Sequence, residues 1–262
     1  MHSNAVADIT NVKAAGFDAI ELHVPKLERY LNAGFTAEEL LPALGRLKVN
    51  NIPALFPLVF DAPEAYERLL RRCERLCSAA QVLKCRTVQV EAWATGGPVD
   101  REWRNVRVRV AESLADLADI ASSYGVRIAL ENIPATPVHN LARALEVIDL
   151  AGRDNLGIVA DTFSLWAGGT TWDEVRGLDP RLILLVHVDD SKQRTGDRWT
   201  NEPRPCLPGD GVVPLREGIA AIREAGFNGV WTAEVYSLYH AEWDPVLLTR
   251  EVKRRLEVLL AG

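Results

Sequence analysis

Short apolar runs recur along the chain, separated by longer stretches whose hydrophobic residues return every three or four positions. This alternation restricts the fold to a parallel α/β architecture. The runs cover residues 18–24, 52–60, 87–93, 127–132, 156–162, 182–189 and 229–236. Helical patterns occupy 5–15, 36–50, 63–82, 100–124, 139–151, 214–225 and 242–260, with at most a short helix at 172–178. Pro63 stands at the start of its helix, and Gly16, Gly125, Gly152 and Gly226 supply left-handed stops. Ala15-Gly-Phe-Asp18 and Ala225-Gly-Phe-Asn228 write the same helix-to-strand turn twice.

Two folds use such a repeat. A doubly wound sheet is disfavoured because no Gly-x-Gly-x-x-Gly follows the first strand. The expected fold is therefore a (β/α)8 TIM barrel, in one domain spanning 1–262, with no linker or low-complexity stretch inside it. Its strand count is one short, because the chain opens inside what should be the first helix. The expectation is an eight-fold barrel that lacks its first strand, with open edges on the strands beginning near Asp18 and Gly229.

Four runs end on a residue that can bind a divalent metal: Glu131, Asp161, His187 and Glu234. In parallel α/β folds the C-terminal ends of the strands face the ligand site, so these four side chains should converge. Three carboxylates and an imidazole suit manganese, magnesium, cobalt or a similar ion. The competing readings are a salt bridge to an arginine for either glutamate, a helix cap for Asp161 and a satisfied core histidine for His187.

Bulk properties narrow the function. A net charge of −6 and a pI near 5.5 argue against a nucleic-acid-binding face. No apolar run approaches the roughly 20 residues of a membrane span. Cys73, Cys77, Cys85 and Cys206 lack paired zinc spacing and read as structural thiols, which places the protein in a reducing cytoplasm.

These features together resemble the xylose isomerase-like TIM barrels, in the sugar phosphate isomerase/epimerase branch. The resemblance runs from about Val12 to Leu259. It is carried by Ala-Gly-Phe-Asp-Ala-Ile-Glu-Leu-His (15–23), Leu-Glu-Asn (130–132), Asp-Thr-Phe (161–163), His-Val-Asp-Asp (187–190), Pro-Gly-Asp-Gly (208–211) and Glu234. It implies that Glu131, Asp161, His187 and Glu234 bind one divalent ion, manganese first, with magnesium, cobalt or zinc as alternatives. Glu131 and Glu234 would double as acid and base on a polyhydroxy ketone or aldehyde, giving epimerisation or isomerisation through an enediolate. Dehydratases acting on inososes or 3-dehydroshikimate share the site and are the second reading. A non-catalytic barrel relative is a third. A DNA-repair endonuclease would need more than five histidines and a basic face. Relatives of this kind are commonly homodimers or homotetramers.

Further candidates surround that set. Glu21, His23 and Glu91 end their strands at the same face and read either as substrate contacts or as ordinary strand-end polarity. Ser164 stands where the epimerases usually carry histidine three residues after the aspartate; it can hydrogen-bond a substrate but does not titrate near neutrality. Asp190 reads as a ligand-orienting carboxylate or as part of a solvated turn. Arg204, upstream of the Pro208-Gly-Asp-Gly turn, is implied by the resemblance as a substrate contact, against a surface arginine. Trp93, Trp166 and Trp199 fall beside the same loops and read as sugar-pocket walls or plain packing.

Overall fold

Period-two alternation in parallel strands sends every second side chain into the barrel and the others toward the helices, and the computed structural model shows both sets buried. It describes residues 3–59, 62–94, 102–192, 206–235 and 237–262. The helices are α1 (Ala5–Ala14), α2 (Val24–Asn32), α3 (Leu41–Leu44), α4 (Pro63–Val82), α5 (Trp103–Ser122), α6 (Leu141–Ala151), α7 (Thr162–Ala167), α8 (Trp172–Arg176), α9 (Leu215–Glu224), α10 (Leu238–Ala241) and α11 (Pro245–Leu260). The strands are β1 (Ala19–Glu21), β2 (Lys48–Leu55), β3 (Thr87–Glu91), β4 (Arg127–Glu131), β5 (Leu156–Asp161), β6 (Ile183–Val188) and β7 (Trp231–Ala233). All seven pair in parallel, in the order β1 to β7, in a sheet nearly closed into a barrel.

The expected open edges are present. β1 and β7 each pair on one side only. Side chains of β4 to β6 are almost wholly buried, whereas Trp231, Thr232 and Ala233 of β7 are half-buried and Val230 is exposed. Between the two edges lies a cavity of about 650 Å³, lined in part by Phe17, Ile20, Trp231, Ala233 and Leu256.

Two sequence expectations fail at the start of the barrel. Residues 36–50 are not one helix: a 3-10 turn (Glu38–Leu40) and α3 end at Gly45 (φ +59°), and β2 already begins at Lys48. Asn50, Asn51 and Pro53 interrupt the apolar pattern there, while parallel pairing to β1 and β3 holds the segment extended. The helix α2, which follows β1 directly, has no counterpart among the expected helices; Pro25 is tolerated there as an opening residue. The four glycine stops do adopt positive φ, from +60° to +94°.

The main core lies between strands and helices. It gathers Ile52, Val88, Val90, Ile128, Leu130, Leu156 and Ile158 against Leu76, Leu114, Leu117 and Val147. A smaller apolar layer of Ala129, Val159 and Leu185 fills the barrel itself. Two residues further along the same strands stand Glu131, Asp161 and His187, so this layer is the floor of the site. Among the described residues, no helix is long and apolar enough to cross a membrane.

Candidate metal centre

Glu131 and Asp161 close β4 and β5, His187 lies one residue before the end of β6, and Glu234 lies one residue beyond β7. Register carries them to one place: Asp161 pairs with His187, and His187 pairs with Thr232, two residues before Glu234. Each of the four offers one ligand atom, and these atoms all lie within 4.8 Å of one another. Glu131, Asp161 and His187 are buried, while Glu234 is half-buried and faces the mouth. The convergence expected from sequence is therefore present in the fold.

Neighbours fix each of the four side chains. Asp161 caps α7: its Oδ1 accepts from the Ser164 N–H at 2.6 Å, so the capping role and the ligand position belong to one carboxylate. Glu131 accepts from Gln89 Nε2 at 2.7 Å and from the Ser164 hydroxyl at 3.3 Å. Ser164, buried, thus stands against one of the four converging side chains. Glu21 is set beside His187. Its two carboxylate oxygens lie 3.2 Å from His187 Nε2, and it also accepts from Asn51 Nδ2 (2.9 Å) and Thr232 Oγ1 (2.8 Å). The Nδ1 atom of His187 faces Glu234, 3.4 Å away, and has no hydrogen-bond partner among the described residues.

The electrostatics are those of an anionic pocket. Burial, then the charges of Glu234, Asp161 and Glu91, push the Glu131 carboxyl well above its ordinary range, against a smaller pull from His187. Burial alone would lower the imidazole of His187, but Glu21 and Glu234 raise it well above its usual value. Burial would raise Glu21, yet His187, Asn51 and Thr232 together hold it low. The site therefore concentrates negative charge around one partly exposed point.

The remaining candidates divide. Glu91 pairs in register with Glu131 and accepts from Trp93 Nε1 at 2.5 Å. His23 opens α2, half-buried, in the field of Lys26, Asp8 and Glu234. Trp166 is half-buried and packs on Phe163. Arg204 and Trp199 lie outside the described residues.

Asp190 is not part of a solvated turn. It is buried and its carboxylate accepts from the backbone N–H groups of Ser191 (2.8 Å), Gly209 (2.9 Å), Gly211 (2.8 Å) and Val213 (3.2 Å). It clasps the Pro208-Gly-Asp-Gly turn to the end of β6. Gly211 is required by that clasp, because a Cβ there would stand 2.0 Å from Asp190 Oδ1. Asp190→Ala leaves those amides without their acceptor and should cost about 2 kcal/mol in urea denaturation. A loss below about 0.5 kcal/mol would show that water replaces the carboxylate without penalty.

Asn51 and Gln89 were missed by sequence reasoning. Both are amides on interior positions of their strands, and both are buried. A buried amide inside a barrel strand is the signal that could have found them.

A parallel β/α barrel with three carboxylates and an imidazole gathered at the C-terminal mouth defines a barrel with a potential metal centre. The chain belongs to the xylose isomerase-like TIM barrel family, whose model matches residues 9–257. It is 29% identical over 241 residues to an inosose isomerase of Bacillus velezensis, covering 90% of this chain and 84% of that protein. It is 26% identical to a 3-dehydroshikimate dehydratase of Pseudomonas aeruginosa, over 86% of this chain but only 35% of that protein. A fructoselysine 3-epimerase of Escherichia coli O157:H7 matches at 27% over 58% of this chain and 53% of that protein. Among solved structures, the IolI protein with a binding zinc atom superposes with a TM-score of 0.89 at 23% identity, covering 99% of this chain and 94% of that one. D-psicose 3-epimerase in the presence of D-fructose superposes with a TM-score of 0.80 at 18% identity, covering 100% of this chain and 95% of that one. At those identities the structures share the fold.

Proposed function

We propose that this protein is a divalent-metal-dependent isomerase of polyhydroxy ketones, with a cyclitol ketone of the inosose type as its preferred substrate class. The observation that carries the reading is the pair Glu131 and Glu234, which approach one point from strands on either side of Asp161 and His187. The four inosose isomerases that match this chain support the substrate class.

The residues fit a metal. His187 Nδ1 is buried and has no hydrogen-bond partner among the described residues, while Nε2 of the same ring faces Glu21, so the proton belongs on Nε2 and the lone pair on Nδ1. Carboxylate oxygens with one imidazole nitrogen suit manganese, magnesium, cobalt or zinc. Glu131, Asp161, His187 and Glu234 would hold the ion, which when bound would supply Lewis-acid polarisation of adjacent carbonyl and hydroxyl oxygens.

The chain does the proton work. One of Glu131 and Glu234 takes the proton from the carbon beside the carbonyl, and the other delivers one to the neighbouring position. Glu131 is held by Gln89 and Ser164, so its reach is fixed; Glu234, half-buried at the mouth, meets the substrate from the open side. The buried floor of Ala129, Val159 and Leu185 keeps water from approaching from below.

The test is incubation of the Mn²⁺-loaded protein with scyllo-inosose in D₂O. Deuterium in a ketone of unchanged composition is the expected result. Loss of one water would make the protein a dehydratase on the same site, and no exchange with any ketose or inosose would remove the catalytic reading.

A further inference from the structure

Beneath the metal centre, six polar side chains from six strand segments form one unbroken arc across the barrel. It runs from Glu234 to His187 (3.4 Å), to Glu21 (3.2 Å), to Asn51 (2.9 Å), to Gln89 (2.8 Å), and to Glu131 (2.7 Å). Its two ends are the two glutamates that the functional reading makes acid and base. Its middle, Asn51 and Gln89, touches neither the ligand point nor solvent. We infer that Asn51 and Gln89 are positioning residues, a paired-amide relay that locks the Glu131 carboxylate and the His187 ring into their metal-binding orientations. This rests on the metal-site reading above and extends it to two residues that bind nothing themselves.

The direction of each bond supports the inference. Carboxylates accept and amide nitrogens donate, so Gln89 must turn Nε2 toward Glu131 and Asn51 must turn Nδ2 toward Glu21. The Oε1 of Gln89 then faces Asn51 and can only accept, and the second N–H of Asn51 Nδ2 supplies that bond. A flipped Asn51 would set oxygen against oxygen at both of its contacts, and a flipped Gln89 would set oxygen against the Glu131 carboxylate and nitrogen against Asn51 Nδ2. The two carboxylates therefore dictate both amides, and the amides in turn fix both carboxylates.

Asn51 Oδ1 is buried and has no hydrogen-bond partner among the described residues. An amide buried beside the apolar layer of Ala129, Val159 and Leu185 is costly for the core. The cost is tolerated because both N–H groups of that amide are needed. Glu21 then holds Nε2–H of His187, with Thr232 Oγ1 as its further donor, leaving Nδ1 to face Glu234.

The test is Mn²⁺ affinity measured by calorimetry on the full chain, together with ¹⁵N NMR of the His187 ring. Gln89→Met, which keeps the side-chain length, and Asn51→Leu, which keeps its branching, remove the amides and should each weaken Mn²⁺ binding by about 10- to 100-fold. The double variant should be no more than about threefold weaker than the worse single one, because each amide acts through the other. Asn51→Leu should also lower the Nε2–H population of His187, which a packing defect would not do. Losses that multiply in the double variant, or single variants that bind as tightly as the parent, overturn the relay while leaving the metal centre intact. Failure of the unsubstituted protein to take up Mn²⁺ overturns the metal reading and the relay together. Should either apolar variant fail to fold, Gln89→Asn keeps the amide but is too short for Glu131 and should show the same loss.

Discussion

Glu131→Gln and Glu234→Gln should each slow deuterium exchange into the substrate by at least about 10³-fold at saturating Mn²⁺, whereas Asp161→Asn should slow it by only about tenfold once the ion is saturating. The contrast follows from placement. Glutamine keeps the size and one ligand oxygen of each glutamate but cannot take a proton from carbon. Asp161 has its Oδ1 engaged by the Ser164 N–H as the cap of α7, so its contribution is to hold the ion rather than to move a proton. A 10³-fold loss corresponds to about 4 kcal/mol of transition-state stabilisation, within what a positioned acid or base supplies. All three variants should weaken Mn²⁺ binding, so rates are compared at saturating metal and the affinities measured separately. If either glutamine variant retains exchange within tenfold of the parent, that residue is a ligand only, and the proton passes through another group. His23, in the field of Glu234, would then be the next residue to replace.

The strands that carry the candidate metal-binding residues were the most legible part of the sequence. β4, β5 and β6 are near-continuous apolar runs, each with its candidate at or next to the end, because a strand buried on both faces needs apolar side chains almost everywhere except at the mouth. The family resemblance rested on those ends, and the match over residues 9–257 agrees with it. The first half of β2, read as the end of a helix over 36–50, was misread for the opposite reason, whereas its second half falls in the strand expected at 52–60. Asn50, Asn51 and Pro53 break its pattern, and at least one of those breaks is a polar side chain pointing into the barrel for a purpose a local window cannot see. Glu21 was legible as a strand-end carboxylate, but its partner His187 is 166 residues away, so its bond to the imidazole is a product of barrel closure. Asp190 was placed correctly in the chain, yet its clasp depends on amides 19 to 23 residues further on. Residue type at a strand end shows where chemistry can occur; which side chain meets the substrate and which holds a neighbour is decided by nonlocal contacts.

Mn²⁺ should stabilise the protein far more at pH 8 than at pH 5, and the reason lies in the protons the site holds without it. The Glu131 carboxyl is raised well above its ordinary value, so the metal-free fold keeps a proton there that the unfolded chain, titrating near 4.5, has already lost. Stability from that proton is fully present below the unfolded value and drains away as pH rises through the raised one. His187 acts with the same sign: its raised imidazole stabilises the fold below the unfolded value near 6.5 and loses that contribution as pH climbs through the folded one. Glu21 has the opposite sign, since its lowered carboxyl loses stability only as pH falls through its depressed value, below this window. Chelator-treated protein should therefore lose stability between pH 5 and pH 8. The ion competes with the same protons for Glu131 and His187, so its apparent affinity rises over the same interval. With Mn²⁺ at about a hundred times its dissociation constant at pH 8, the ligand term is about 2.7 kcal/mol, or roughly 5–10 °C in Tm for a chain of this size. At pH 5 and the same Mn²⁺ concentration, the gain should be no more than about 2 °C, because protonated Glu131 and His187 bind the ion poorly. Differential scanning fluorimetry with and without Mn²⁺ across this range reads the effect directly. A gain that stays flat, or that is larger at pH 5, would mean that neither residue exchanges its proton for the ion, and that the metal sits elsewhere.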